Sequence, residues 1–392
     1  MARDRAIICL AIGQILVWAG LFYVFPAMLV RWEEALGWSK AELTGAFTLA
    51  IFVSALSSPV AGRLIDAGRG ALMMAGSSLL GGFCLIGMAM VRELWQFYLV
   101  WALIGVLLAG CLYEPCFALV TRARGPAARR GIIAITLVAG FASTISFPAI
   151  HVLADGLGWR MAIQIFAAVV ILVATPFMWY GASKVEKAGA EDQDHSGDHK
   201  VRRHAFIGRP QFWLLAVGFG LGAVVHGVSL HHLLPILHDR GFTADTAVLA
   251  ASFIGPMQVA GRLAMMAAER HVSNHGVAVA CFMFMGLAVM LLAASGAVPV
   301  LLAGFVVFYG AAYGTVSILR PLIARDILGG ANFGAKTGAL ALIYLVGSAS
   351  APYLGSLVWS VGGYDLVLPC LIVLAFAGLI LYVAAHRLPR EA

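Results

Sequence analysis

The feature that most limits what this chain can become is its succession of long, charge-poor apolar runs. One fills about residues 6–30, and others follow at about 43–64, 71–91, 94–120, 131–153 and 160–181. After a polar interval the pattern returns at about 212–238, 247–263, 277–294, 298–324, 337–361 and 366–385. About 20 apolar residues is what a helix needs to cross a hydrocarbon layer of roughly 30 Å. That layer holds no water to satisfy backbone groups, and a continuous helix satisfies its own. The expectation is an all-α membrane protein with twelve transmembrane helices. Composition agrees: 61% of residues are apolar and 11% charged, with a mean hydropathy of +0.92. A soluble domain carries roughly a quarter charged residues.

The runs form one unit written twice. Val60-Ala61-Gly62-Arg63-Leu64 returns as Val259-Ala260-Gly261-Arg262-Leu263, each copy closing an apolar run and leading into a charged turn. Gly140-Phe141-Ala142-Ser143 is echoed at almost the same offset by Gly347-Ser348-Ala349-Ser350. Internal repeats in a membrane chain suggest a secondary transporter. The boundaries expected are 1–182 for a first six-helix bundle, 183–211 for a cytoplasmic linker and 212–392 for a second bundle. The two are pseudo-symmetric and flank a central cavity. The interval is polar and histidine-rich, but His195, His199 and His204 are irregularly spaced, so no metal site is expected there.

Charge sets the orientation. Both termini and the polar interval fall on one face, which collects all of the 26 lysines and arginines except Arg31, Lys40, Arg92, Arg160 and Arg240. The positive-inside rule makes that face cytoplasmic, with both termini on it. The net charge of +7 then follows from topology and anionic headgroups, and needs no nucleic-acid partner. The start is basic, but the apolar run behind it is too long for a signal peptide and reads as the first membrane helix. The six cysteines lie inside apolar runs without a Cys-x-x-Cys pair and read as inert packing residues. Small-xxx-small pairs at Gly218/Gly222 and Gly310/Gly314 predict close helix packing.

Gly62-Arg63-Leu64-Ile65-Asp66, after the second run, resembles the loop signature Gly-x-Leu-x-Asp of the major facilitator superfamily. A weaker copy begins at Gly261, and Leu157-Gly158-Trp159-Arg160 before the sixth run is also familiar. The resemblance covers the whole chain. Gly37-Trp38-Ser39 resembles the bacterial monocarboxylate and oxalate/formate branches, which implies a multi-pass protein of a bacterial inner membrane. Three features depart from drug/proton antiporters. No basic residue directly follows Asp66, Trp101 stands where an arginine is usual, and Ser143-Thr144-Ile145-Ser146-Phe147-Pro148 replaces a Gly-Pro-x-x-Gly-Gly motif.

In that superfamily helices 1, 4, 7 and 10, flanked by 2, 5, 8 and 11, line the cavity. Each carries a proline here: Pro26, Pro115, Pro235, Pro321, Pro59, Pro148, Pro256 and Pro352. Each interior proline frees the carbonyl four residues back; Pro148 frees Thr144 and Pro352 frees Ser348. Glu114 is a carboxylate at membrane depth, where an unpaired charge is costly. Burial would raise its pKa and suit it to carry a proton, whereas an ion pair with Arg129 or Arg320 would make it structural. His226 lies near mid-membrane. At about 100° per residue, His231 and His232 point away from it, which counts against a metal cluster.

The proton-coupling candidates are therefore Glu114 and His226. Substrate-binding candidates are Gln14, Trp18, Thr144, His226, Gln258, Tyr309, Tyr313, Tyr344 and Arg320, each with an alternative role in helix packing or snorkelling. Gly62, Arg63, Asp66, Gly261 and Arg262 are expected to brace a conformational gate. No nucleophile, phosphate-loop or metal signature occurs, so neither an enzyme nor a cofactor is expected. The reading is a monomeric secondary transporter in a lipid bilayer, with protons and a small-molecule substrate as partners. It takes up a small organic anion such as a monocarboxylate by proton coupling and alternating access. The alternative is proton-driven export of a metabolite or drug.

Overall fold

The structure is a computed structural model that describes residues 4–124, 128–191, 205–268, 271–329 and 333–389. Every regular element among them is helical. The spans are α1 (Arg5–Leu36), α2 (Lys40–Asp66), α3 (Gly70–Ala89), α4 (Leu94–Arg124), α5 (Arg130–Leu157) and α6 (Trp159–Ala188). They continue with α7 (Pro210–His231), α8 (Ala244–Ala268), α9 (Asn274–Ala294) and α10 (Leu301–Leu328). The last helical stretch, Phe333–Arg387, loses helical backbone angles at Gly362 and Gly363, which divide it into α11 and α12. The twelve expected spans are all present.

The chain forms two compact units, Met1–Gly197 and Asp198–Ala392. The helix of the sixth span runs on to Glu191, into the interval that the sequence assigned to a linker. A tertiary contact accounts for the extension. The Glu186 carboxylate accepts hydrogen bonds from the backbone N–H groups of Gly70 (2.7 Å) and Ala71 (3.3 Å) at the start of α3. Those are orphan donors at the positive end of a helix dipole, so the carboxylate gains both hydrogen bonds and charge complementarity. The linker histidines His195, His199 and His204 lie outside the described residues.

Unit 1 is centred on rings. Trp101 is fully buried and meets Phe25, Phe47 and Trp32 edge-on, with centroids 5.3, 5.1 and 6.2 Å away. Such pairs add roughly a kcal/mol each to area burial. The residue that departs from the exporter pattern is therefore core. Gly105 of α4 lies so close to α2 that a Cβ there would sit 2.3 Å from the Ala50 carbonyl. At one end of the unit Arg31 ties α1 to α5, reaching Asp155 at 2.7 Å and His151 Nδ1 at 2.8 Å.

Unit 2 relies more on glycine. Added Cβ atoms at Gly310 and Gly314 of α10 would meet Met257 Cβ at 2.5 Å and the Gln258 carbonyl at 2.3 Å, both on α8. On α11, a Cβ at Gly347 would lie 2.6 Å from the Gly220 carbonyl of α7. Small residues let membrane helices approach to backbone contact, which is where their packing attraction is greatest.

Pro59, Pro148, Pro256 and Pro352 lie within continuous helices, and the other four stand beside an irregularity. Pro26 removes the donor for the Phe22 carbonyl, and α1 widens into a π-helical turn at Trp18–Phe22 just before it. Pro115 removes the donor for the Cys111 carbonyl, and α4 breaks at Leu112. Pro235 follows a break at His232, after which a short helix, Leu233–Asp239, prolongs α7. Around residue 317, whose carbonyl Pro321 cannot bond, α10 bends by 44°.

Candidate functional site

In unit 2 the helices α7, α9, α10 and α11 enclose a cavity of about 30 Å³ lined by Phe219, His226, Phe282, Met285, Tyr313 and Tyr344, among others. Its polar part is contributed by sequence-predicted residues. His226 is buried, and its Nδ1 lies 2.7 Å from the Tyr309 hydroxyl. The same hydroxyl lies 3.1 Å from the His226 carbonyl. A hydroxyl has a single proton. That proton can go to Nδ1, the shorter contact, or to the carbonyl, and either way Tyr309 fixes the orientation of a ring that lines the cavity. Tyr313 lies flat on the imidazole, with centroids 3.3 Å apart and planes at 9°.

Tyr344, on α11, carries the next group. The Arg320 guanidinium lies 3.6 Å above its ring centroid, and the Arg320 Nε has no hydrogen-bond partner. The ring holds the cation by its face, and the buried Nε keeps an unused N–H. Arg320 is thus positioned by an aromatic ring. His226, Tyr309, Tyr313, Tyr344 and Arg320 come together. Gln258 does not join them by any described hydrogen bond; it is buried where α8 presses on Gly314. His231 bonds its own helix at the Gly227 carbonyl (2.7 Å). His232 binds the Pro352 carbonyl (2.9 Å) and the Tyr364 hydroxyl (3.1 Å). The divergence inferred from helical geometry is what separates these roles. Among the described residues no group of three or more His, Cys, Asp or Glu could hold a metal ion.

Unit 1 holds a second cluster. Trp18, in the π-turn of α1, packs on Phe22 and Tyr113 with centroids 4.8 and 4.7 Å away, and Tyr113 stacks on Phe117 at 5.0 Å. The Trp18 Nε1 finds no acceptor. Gln14 has a structural partner instead of a free amide. Its Nε2 donates to the Cys111 carbonyl at 2.8 Å and to that of Leu112 at 3.3 Å. It satisfies the carbonyl freed by Pro115 and bridges the irregular turns of α1 and α4. Thr144 is half-buried on α5, and its neighbour Ser146 donates to the Ala19 carbonyl in the π-turn at 2.9 Å.

Glu114 is exposed, on the same side of α4 as Ala118 and Thr121. The break at Leu112 sets this register: Pro115 and Cys116 turn inward, and Glu114 turns out beside Tyr113. The side chain of Arg129, one of its two expected ion-pair partners, lies outside the described residues.

The comparisons with known proteins agree with this architecture. The profile of the Major Facilitator Superfamily matches residues 10–274. The chain belongs to the major facilitator superfamily. A solved structure of a bacterial homolog of the human lysosomal transporter Spinster, inward-facing and occupied, superposes with a TM-score of 0.63 at 14% identity. That match covers 98% of this chain and 95% of the other, and at such identity it speaks to fold alone. No curated protein matches the sequence.

As a member of the superfamily, the chain is a multi-pass membrane protein with the fold of a secondary transporter. Its two copies of the signature differ. In the second, Arg262 is buried and donates through Nε to the Gly314 carbonyl at 2.9 Å, while a Cβ on Gly261 would sit 2.4 Å from the Ala311 carbonyl. In the first, nothing lies within 4 Å of a Cβ at Gly62. Arg63 is exposed and folds back on its own helix at the Pro59 carbonyl (3.3 Å), and Asp66 is exposed. The α3 N-terminus close by is held by Glu186. Sequence reasoning missed Glu186 and Ser146. Glu186 lay in a stretch read as linker. Ser146 could have been found as the hydroxyl within two residues of Pro148.

Proposed function

We propose that this transporter takes up a small organic anion, such as a monocarboxylate, together with a proton, by alternating access across a bacterial inner membrane with both termini in the cytoplasm. One observation carries the reading: a guanidinium lies over Tyr344, a ring that lines the same cavity as the imidazole of His226. The cation supplies the attraction for a carboxylate, and the imidazole supplies a proton acceptor whose orientation Tyr309 fixes. Tyr313, lying on the imidazole, would regulate access to it. A carboxylate held by Arg320 favours a proton on His226, and protonated His226 favours the carboxylate. Each ligand therefore raises the affinity of the other by the same factor.

A reconstituted-vesicle assay tests the reading. Arg320→Gln should abolish saturable uptake of a panel of monocarboxylates, while His226→Gln should remove accumulation driven by a pH gradient and spare exchange at equal pH. Gradient-driven accumulation by His226→Gln at the wild-type level would overturn the role of His226. Glu114→Gln, run beside it, tests the other candidate by the same criterion.

The cluster in unit 1 favours a second reading. Trp18, Tyr113 and Phe117 with Glu114 alongside suit an apolar cation, by ring-face attraction and a carboxylate. This would make the chain an exporter of such compounds. Efflux of a lipophilic cation that Glu114→Gln abolishes and Arg320→Gln leaves intact would favour it.

A further inference from the structure

At the end of unit 1 where α1 and α5 finish, a histidine is held between two opposite charges. Arg31 of α1 reaches the Asp155 carboxylate at 2.7 Å through Nη1 and His151 Nδ1 at 2.8 Å through Nη2. His151 and Asp155 stand one turn apart on α5, and His151 Nε2 lies 3.3 Å from the other carboxylate oxygen. The His151 side chain is 16% exposed and that of Asp155 52%, so water reaches the group. A further contact, from Arg31 to the His151 carbonyl, is long at 3.5 Å.

A guanidinium only donates hydrogen bonds. Its contact therefore requires a lone pair on His151 Nδ1, which puts the proton of the neutral ring on Nε2, facing Asp155. The arrangement holds for the neutral imidazole alone. A second proton must go to Nδ1, where it sets an imidazolium N–H against the N–H groups of the guanidinium. The charged ring keeps its Nε2–H on Asp155 and competes with Arg31 for that carboxylate. Proton uptake thus exchanges a tie between helices for one within α5. The elements packed on this part of α5 are α1 and α6. Their other charges are placed differently. On α1, Glu33 pairs with Lys40 at 2.7 Å and Glu34 is exposed. On α6, Arg160 donates to the Val91 carbonyl at 3.2 Å and lies over the Trp159 ring.

The backbone shows what the tie restrains. Earlier on α5, Ser146 fastens the helix to the Ala19 carbonyl in the π-turn of α1, and Pro148 supplies no N–H to the helix ladder. Beyond the tie, α5 ends at Leu157, and Gly158 turns the chain with a φ of 82°. The last turns of α5 therefore lie between a proline and a glycine joint, with Arg31 as the cross-tie. We propose that His151 is a proton-sensitive latch. Neutral, it keeps the end of α5 on α1; protonated, it releases that end. The latch is independent of the substrate reading, since it uses no residue of the His226 cavity.

The test follows backbone amide hydrogen exchange by mass spectrometry in the purified full-length protein. It compares about pH 8 with about pH 5.5, an interval in which histidine side chains titrate while guanidinium and carboxylate groups in general keep their charge. Rates are corrected for the intrinsic effect of pH on exchange. In wild type, residues 150–158 should exchange about tenfold faster at the lower pH, the scale of one charge-assisted hydrogen bond. Residues 97–108, which carry the buried rings of α4, should not change. His151→Gln keeps an acceptor for Arg31 and a donor for Asp155 but takes up no proton, and should exchange slowly at both pH values. Arg31→Gln has no cross-tie to lose and should exchange fast at both. A wild-type rate that does not change with pH, a rise in His151→Gln equal to that of wild type, or slow exchange in Arg31→Gln overturns the latch.

Discussion

The stack of Arg320 on Tyr344 makes a discriminating prediction, because lysine keeps the charge but not the plane. Arg320→Lys should raise KM for a carboxylate about tenfold with kcat little changed, since the flat face that Tyr344 holds and the paired N–H edge are both lost. Vesicle uptake measures this, and an unchanged KM would mean that the guanidinium does not touch substrate. A second prediction concerns Asp4, whose carboxyl accepts the Ile7 N–H at 3.4 Å and pairs with Arg124. The hydrogen bond from Arg124 holds its pKa below the usual carboxylate value. Its folded-state pKa is thus lower than its unfolded one. The stability it contributes is complete above an unfolded pKa of about 3.9 and is lost as pH falls through the folded value. Asp4→Asn should melt slightly below wild type at pH 7, and the gap should close on acidification below about pH 4. Residue chemistry was partly legible in the sequence. Helical spacing separated His226 from His231 and His232, but nothing in the sequence could turn Glu114 outward, because its register depends on a break one residue wide.

Prolines were readable as positions where a carbonyl loses its donor four residues back, but only four of the eight stand beside a break or bend. What the sequence did not contain is how each freed carbonyl is satisfied. Gln14 illustrates this: its type and depth suggested a substrate ligand, whereas its amide is committed to the Cys111 and Leu112 carbonyls. Gln14→Leu should leave the buried Cys111 carbonyl without its donor and cost about 1–3 kcal/mol. The expected outcome is a melting temperature several degrees lower, with KM changed little in whatever protein folds. A raised KM at unchanged melting temperature would return Gln14 to the substrate site. The α8–α10 seam predicts a larger effect. Gly314→Ala would force a Cβ to within 2.3 Å of the Gln258 carbonyl oxygen, where only backbone movement gives relief. Its melting temperature should fall further than that of Gly76→Ala, a position with nothing within 4 Å.

At the scale of the molecule, the repeated signature provides an internal comparison. Identical pentapeptides have different surroundings: Gly261 and Arg262 are docked on α10, while Gly62 and Arg63 touch nothing comparable. Their type and spacing were legible in the sequence, and their state was not, since state depends on which neighbouring backbone is near. Gly261→Val should therefore lower stability. Gly62→Val should leave the melting temperature within a degree or two and slow turnover, if the first copy docks during the cycle. Equal melting losses at both positions would rule out that difference. The orientation read from lysine and arginine bias has its own test. Cysteines at Ser196, outside the described residues, and at Arg92 should be labelled in intact cells only at position 92.

The size of the His226 cavity has a further consequence. The cavity is small, about 30 Å³, and the ring of Tyr313 forms part of its wall. A solute bound by Arg320 would meet the face of the imidazole if the ring of Tyr313 swung off it. The same swing would widen the path to the ring nitrogens. Cargo and proton would then be admitted by one motion of one side chain, and a vesicle without cargo should leak few protons. Tyr313→Ala would separate the two: the imidazole would lie open at all times, and a pH gradient should discharge through the protein in the absence of any solute.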